Sequence, residues 1–149
     1  RNTRDLVNYA GSRKSEDFDE IWCVFDKDDF SDSDFNNAIQ KAEQDEIYVA
    51  YSNECFELWY VLHYNFHTTA HKRDQYCKRL NTLTGEKYEK GSAGMYYKLL
   101  EKLPKALRHA QRLTKEHRDK KRTPARANPS TTVHLLVLRL QEIAKEQEL

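Results

Sequence analysis

Glu20-Ile-Trp-Cys-Val-Phe-Asp-Lys-Asp-Asp-Phe30 is the stretch that decides how this chain is read. Its apolar run, Ile21 to Phe25, ends abruptly in Asp26, Asp28 and Asp29. A short apolar run bounded by polar residues predicts a buried strand, with the acids in the loop at its carboxyl end. Open parallel sheets bind their ligands along that edge. On extended backbone, residues i and i+2 project to the same side, so Asp26 and Asp28 can face one ion. Two carboxylates so placed suit a hard divalent cation, which prefers oxygen ligands. Asp29 then points away, toward a helix dipole or a loop partner. The plainer reading is a solvated turn, since aspartate is a common turn former. The abrupt end of a buried strand favours the metal.

Downstream, Ser33 or Asp34 can cap a helix running to about Gln44, with Phe35, Ala38, Ile39 and Ala42 on one face. Ile47-Tyr-Val-Ala-Tyr51 is a second strand. Strand, loop, helix and strand in about 30 residues form the βαβ pattern of a parallel sheet. The polar residues Ser52, Asn53 and Glu54 then follow the second strand on the same edge as the aspartates. Cys55 to Tyr64 is nearly all apolar and aromatic and predicts a buried helix. Glu57 is the only acid in that run, and burying an unpaired carboxylate is costly. It therefore needs a metal, hydrogen-bond donors, or a salt bridge to an arginine of the basic half.

Upstream, Leu6, Val7 and Ala10 at helical spacing, closed by Gly11, predict a short helix over 3–11. Beyond residue 70 the spacing predicts basic helices over about 70–81, 92–102 and 104–121, the last started by Pro104. Asn128-Pro-Ser-Thr131 reads as the cap of a final helix with Val133, Leu136, Val137, Leu140 and Ile143 as its stripe. The expected fold class is α/β: a small, mostly parallel sheet flanked by helices, with a helix-rich basic C-terminal half.

At 149 residues the chain is most simply one domain with a real core. No apolar run approaches the roughly 18 residues of a membrane span, no signal peptide opens the sequence, and no membrane partner is expected. Cys23, Cys55 and Cys77 are odd in number and widely spaced, fitting neither a disulfide framework nor a zinc knuckle. A reducing, cytoplasmic setting is the expectation. The four glycines form no phosphate-cradling loop, which weakens ATP and NAD readings. The net charge of +1 hides a split: residues 1–69 carry 6 Lys/Arg against 15 Asp/Glu, and residues 70–149 carry 19 against 9. Such a split suits a protein that holds a metal with its acidic sheet half and a polyanion with its basic helical half. It equally suits two halves that attract each other.

Lys105, Arg108, Arg112 and Lys115 share one helical face and are the candidate nucleic-acid contacts, although a charge run alone is more often a solvated face. His63, His67 and His71 stand at i, i+4 and i+8 and mimic a metal face, but Asn65, Thr68 and Thr69 argue against one continuous helix there. His134 follows the Asn-Pro-Ser-Thr cap and is a candidate for the crevice, or simply packs.

Three blocks, Trp22-Cys-Val-Phe-Asp-Lys-Asp28, Ser52-Asn-Glu-Cys-Phe-Glu-Leu-Trp59 with His63 behind it, and Asn128-Pro-Ser-Thr-Thr-Val-His134, resemble the RloB-like family over residues 3 to 144. The resemblance implies a Toprim-type fold and an association with bacterial restriction and phage-defence loci. It implies that Asp26 and Asp28 match the Toprim Asp-x-Asp ligands of Mg²⁺ (or Mn²⁺), while Ser52, Asn53 and Glu57 fall in the family's second block without assigned roles. From the residues themselves, Glu57 joins the candidate catalytic set and Ser52, Asn53 and His134 the supporting crevice. Toprim folds also use a glutamate just after a first strand. Glu16 and Glu20 lie in the wrong context for it, so either that strand and glutamate stand upstream of Arg1 or the protein is not a complete enzyme.

The first expectation is a metal-dependent nuclease or phosphodiester-transfer domain of a phage-defence system, with nucleic acid and other defence proteins as partners. A phosphatase using Asp26 as nucleophile and Asp28 as acid/base would need a later acidic pair, and Asp45, Asp74 and Asp119 are unpaired in the sequence. The contrasting expectation is a non-catalytic nucleic-acid or protein-binding module.

Overall fold

The structure is a computed structural model and describes residues 3–14, 18–28, 30–91 and 93–147. Asp29 and Glu16 lie outside the described residues. In chain order the elements are α1 (Thr3–Ser12), β1 (Trp22–Asp26), α2 (Asp32–Gln44), β2 (Tyr48–Asn53), α3 (Glu57–Leu62), α4 (Arg73–Thr84), α5 (Gly94–Leu99), α6 (Leu103–Asp119), β3 (Ser130–Thr131) and α7 (Val133–Gln147). Short 3₁₀ turns cover Leu100–Lys102 and Pro124–Arg126.

The βαβ unit forms as its pattern requires. β1 and β2 pair in parallel, with Cys23 opposite Val49, Phe25 opposite Tyr51 and Asp26 opposite Ser52. Alternation along the strands sends Cys23, Phe25, Val49 and Tyr51 to one face, where α1 and α2 cover them with Val7, Phe35, Ala38 and Ala42. Phe35 meets Phe25 and Tyr51 edge-on, with ring centroids 5.8 and 5.4 Å away. Ala50 and Trp22 face the other layer, built from α3, α4, α5, α6 and α7 around Leu58, Leu62, Tyr76, Leu80 and Leu113. Ser31, not Ser33 or Asp34, caps α2: its hydroxyl accepts the Asp34 N–H at 3.1 Å. Asp32 and Asp34 stand in the first turn, where the helix dipole favours acids.

Four expectations need correction. The sheet is mixed rather than mostly parallel, because β2 also pairs antiparallel with β3, Ser52 opposite Thr131 and Asn53 opposite Ser130. Within Asn128-Pro-Ser-Thr131, Ser130 and Thr131 form β3, and only the Thr131 hydroxyl keeps a capping contact, accepting the Val133 N–H at 3.3 Å. The Thr132 hydroxyl and amide take up the Tyr51 backbone, at 2.9 and 2.8 Å, before α7 begins. β1 is buried on one face only: Val24 is exposed because the second helical layer packs over β2 and β3 rather than over the β1 edge. The α7 stripe fades after two turns. Val133 is buried and Leu136 and Val137 pack on the core, but Leu140 is 55% exposed.

Among the described residues, no helix is long and apolar enough to cross a membrane. Removing the large ring at the centre of the α2–sheet contact should be expensive. Phe35→Ala is expected to cost about 3–5 kcal/mol in urea unfolding. Leu140→Ser, outside the packed part of α7, should stay within about 0.5 kcal/mol.

Candidate functional site

β1 carries Asp26 to the carboxyl edge, and the chain does not stop pairing there. The Lys27 amide donates to Ser52 O at 2.9 Å and the Asp28 amide to Glu54 O at 3.0 Å. Asp28 leaves the strand in the left-handed region, φ 43°. Aspartate tolerates that conformation better than most side chains. The two aspartates thus reach the same side through a turn, not through the extended alternation expected from the sequence. The Asn53–Glu54 peptide, which follows β2, is cis. α3 then opens at Glu57, whose side chain is buried.

These three acids meet one cation. Arg73 Nη2 donates to Asp26 Oδ2 at 2.8 Å and to Asp28 Oδ2 at 2.9 Å, while Nη1 donates to Glu57 Oε1 at 3.0 Å and Oε2 at 3.3 Å. Arg73 is the first residue of α4, and the start of that helix is set by Gln75, whose side chain accepts the Lys72 N–H at 2.8 Å. Beside it, Lys72 Nζ donates to the buried Glu54 at 3.0 Å. Glu57 was expected to meet a metal or an arginine of the basic half. In this structure the arginine is its partner.

The electrostatics follow from burial and from that one guanidinium. Burial raises the Asp26 carboxyl above its ordinary value, opposed by Arg73 and the Phe56 amide, and the Glu57 charge adds to the rise. Burial also works against the charged Arg73. The bonds to Asp26 and Asp28 and the charge of Glu57 outweigh it and hold the guanidinium firmly protonated. Burial, then the Glu57 charge, pushes the Cys55 thiol up to about 12, so it is no nucleophile at neutral pH.

The other sequence candidates do not enter this cluster. Ser52 is buried with its hydroxyl 2.8 Å from that of Thr131, which ties β2 to β3. Asn53 donates from Nδ2 to Pro124 O at 3.0 Å and Ala125 O at 2.9 Å, holding the loop after α6 against the sheet. His134 is buried in the first turn of α7. Its Nδ1 has no hydrogen-bond partner among the described residues, and burial lowers its pKa against the Thr131 backbone. His63, His67 and His71 do not share a helix. His63 Nδ1 bonds Trp59 O at 2.8 Å, whereas His67 and His71 lie against Tyr76.

Lys105, Arg108, Arg112 and Lys115 do share the exposed face of α6. Arg112 bonds Glu116 at 3.2 Å and lies over the Phe66 ring, and Lys115 bonds Asp119 at 2.7 Å. Lys105 and Arg108 make no ion pair with a described residue. Lys120, Lys121 and Arg122, exposed at the end of α6, precede the loop that Asn53 anchors at the sheet edge. Nothing in the sequence singles out Arg73 among the basic residues of its half. The solitary acid in an apolar helix was the signal that an arginine had to arrive.

A protein-family model described as RloB-like protein matches residues 1–140. The chain belongs to the RloB-like family. No curated protein and no solved structure matches it.

The donor set fits a divalent metal in its chemistry, since hard cations take the carboxylate oxygens that the guanidinium now holds. Arg73 is a cationic stand-in, with the carboxylates spread around its fork. Among the described residues, no three His, Cys, Asp or Glu side chains close on one point to hold an ion.

Arg73→Ala leaves buried Glu57 without its partner. Breaking a fully buried pair costs roughly 3–5 kcal/mol, and water reaching Arg73 and Asp28 reduces this to about 2–3 kcal/mol. Denaturant unfolding should show that loss. Arg73→Met combined with Glu57→Gln should recover much of it, because the buried charge leaves with its partner.

Proposed function

We propose that this RloB-like protein is a Mg²⁺- or Mn²⁺-dependent nuclease, or a related phosphodiester-transfer domain, of a bacterial phage-defence system. The Toprim-type scaffold implied by the family resemblance belongs to this reading. The observation that carries it is the convergence of Asp26, Asp28 and Glu57 on a single cation at the carboxyl edge of the sheet, where α/β folds bind ligands. A bound divalent ion supplies charge to polarise a phosphate and to stabilise the leaving oxygen.

This chain's own residues do the holding. Asp26 and Asp28 present their carboxylates from the strand end and its turn. Glu57, fixed in the first turn of a buried helix, offers an oxygen pair that cannot swing into solvent. Lys105 and Arg108, with Lys120, Lys121 and Arg122, provide exposed charge for a phosphate backbone. In this reading the protein works in the cytoplasm on nucleic acid, alone or with other proteins of a restriction-associated, abortive-infection type of defence.

A second reading, a non-catalytic module that binds nucleic acid or protein, is favoured by one observation. The acids are already neutralised by Arg73, as a purely structural ion-pair network would be.

Asp26→Asn separates the two. The asparagine oxygen can still accept from Arg73, so stability should change by no more than about 1 kcal/mol. Metal-dependent cleavage of nucleic acid should disappear, and full cleavage by this variant removes the catalytic claim. Lys105→Glu with Arg108→Glu should weaken binding to all sequences alike and reduce the salt dependence of that binding. Unchanged affinity and salt slope would show that α6 does not carry the contact.

A further inference from the structure

We propose that Arg73 is a resident counter-cation that competes with a divalent metal ion for Asp26, Asp28 and Glu57, so that the metal enters only as the guanidinium withdraws. This rests on the metal-dependent reading above and adds to it a residue that sets how much metal the site requires.

Arg73 occupies Oδ2 of both aspartates and both oxygens of Glu57, so no carboxylate of the set is left free of it. Oδ1 of each aspartate is not bonded to Arg73, but a divalent ion held by all three acids would have to take an oxygen of Glu57 that the guanidinium holds. A metal and a guanidinium both within bonding distance of three carboxylates would also repel each other in a partly dry site, where such repulsion is weakly screened. One cation therefore excludes the other.

Glu57 lies in an apolar helix between Cys55 and Leu58, both fully buried. Left alone there, its charge would be strongly unfavourable. Arg73 removes that cost and keeps the three acids gathered at the strand end.

Arg73 is the first residue of α4, its side chain is 29% exposed, and the helix start is held by Gln75 bonding the Lys72 amide rather than by the guanidinium. The side chain can turn its head to water while its stem stays on the protein, without unwinding the helix. The exchange thus costs the bonds to the acids and little else.

The test is calorimetric titration of the full chain with Mn²⁺ alone, with no nucleic acid, alongside thermal melts. Arg73→Gln should bind Mn²⁺ on the order of 10–100-fold more tightly than the unmodified chain, within the usual range of site coupling. Its Tm should rise further on adding Mn²⁺, and Asp26→Asn in the Arg73→Gln background should abolish that gain. If Arg73→Gln folds only with Mn²⁺ present, Arg73→Lys keeps a charge but loses the fork and should show a smaller tightening. Mn²⁺ affinity that is equal or weaker in both variants overturns the competition while leaving the metal reading intact. Absence of Mn²⁺ binding in every form overturns both.

Discussion

A single guanidinium set against three carboxylates is the constraint around which this molecule is arranged. The strand β1 delivers Asp26, the turn after it delivers Asp28, the helix α3 delivers Glu57, and α4 delivers the cation from the basic half. Charge-assisted bonds are the strong class of hydrogen bond, and their geometry is specific when a planar fork meets carboxylates. The cluster joins the two layers of the fold at the sheet edge. Lys72–Glu54, Arg126–Asp32 and Arg139–Glu20 make the same kind of connection at other points. Part of the opposite charge of the two halves is thus neutralised between them, through Lys72, Arg73, Arg126 and Arg139. The exposed basic side chains of α6 and of residues 120–122 behind it are not drawn into these contacts with the acidic half.

Much of this was legible because local pattern and tertiary role agree. An apolar run ending in acids, an amphipathic helix with Phe35 and Ala38 on one face, and a second β-branched and aromatic strand require the βαβ unit and the position of the aspartates. The need for a partner to Glu57 was legible as well, since an isolated acid in an apolar helix is costly. The identity of that partner was not. Arg73 is one of many cations in its half, and only the packing of α4 against α3 brings it to the strand end.

Other features were hidden for the opposite reason, because their local pattern points elsewhere. Ser130 and Thr131 look like a helix cap, yet they add a strand, since β2 has an open edge that needs hydrogen-bond partners. Ser52 and Asn53 stand at the right strand end but point into β3 and the Pro124 loop. A strand alternates its faces, so only part of a polar cluster can look toward a crevice. The histidines at 63, 67 and 71 have helical spacing but no helix, because α3 ends at Leu62 and α4 starts at Arg73.

The account's central claim is that Asp26, Asp28 and Glu57 act as one cation-binding unit. The most direct measurement is paramagnetic broadening of amide resonances by substoichiometric Mn²⁺, which reports where the ion sits independently of any catalysis. The account predicts broadening confined to residues around 26–28 and 54–58 and to the first turn of α4. Broadening centred instead on the exposed acids at Glu43, Asp45 and Glu46 or at Glu142 and Glu146, with the strand end unaffected, would contradict it.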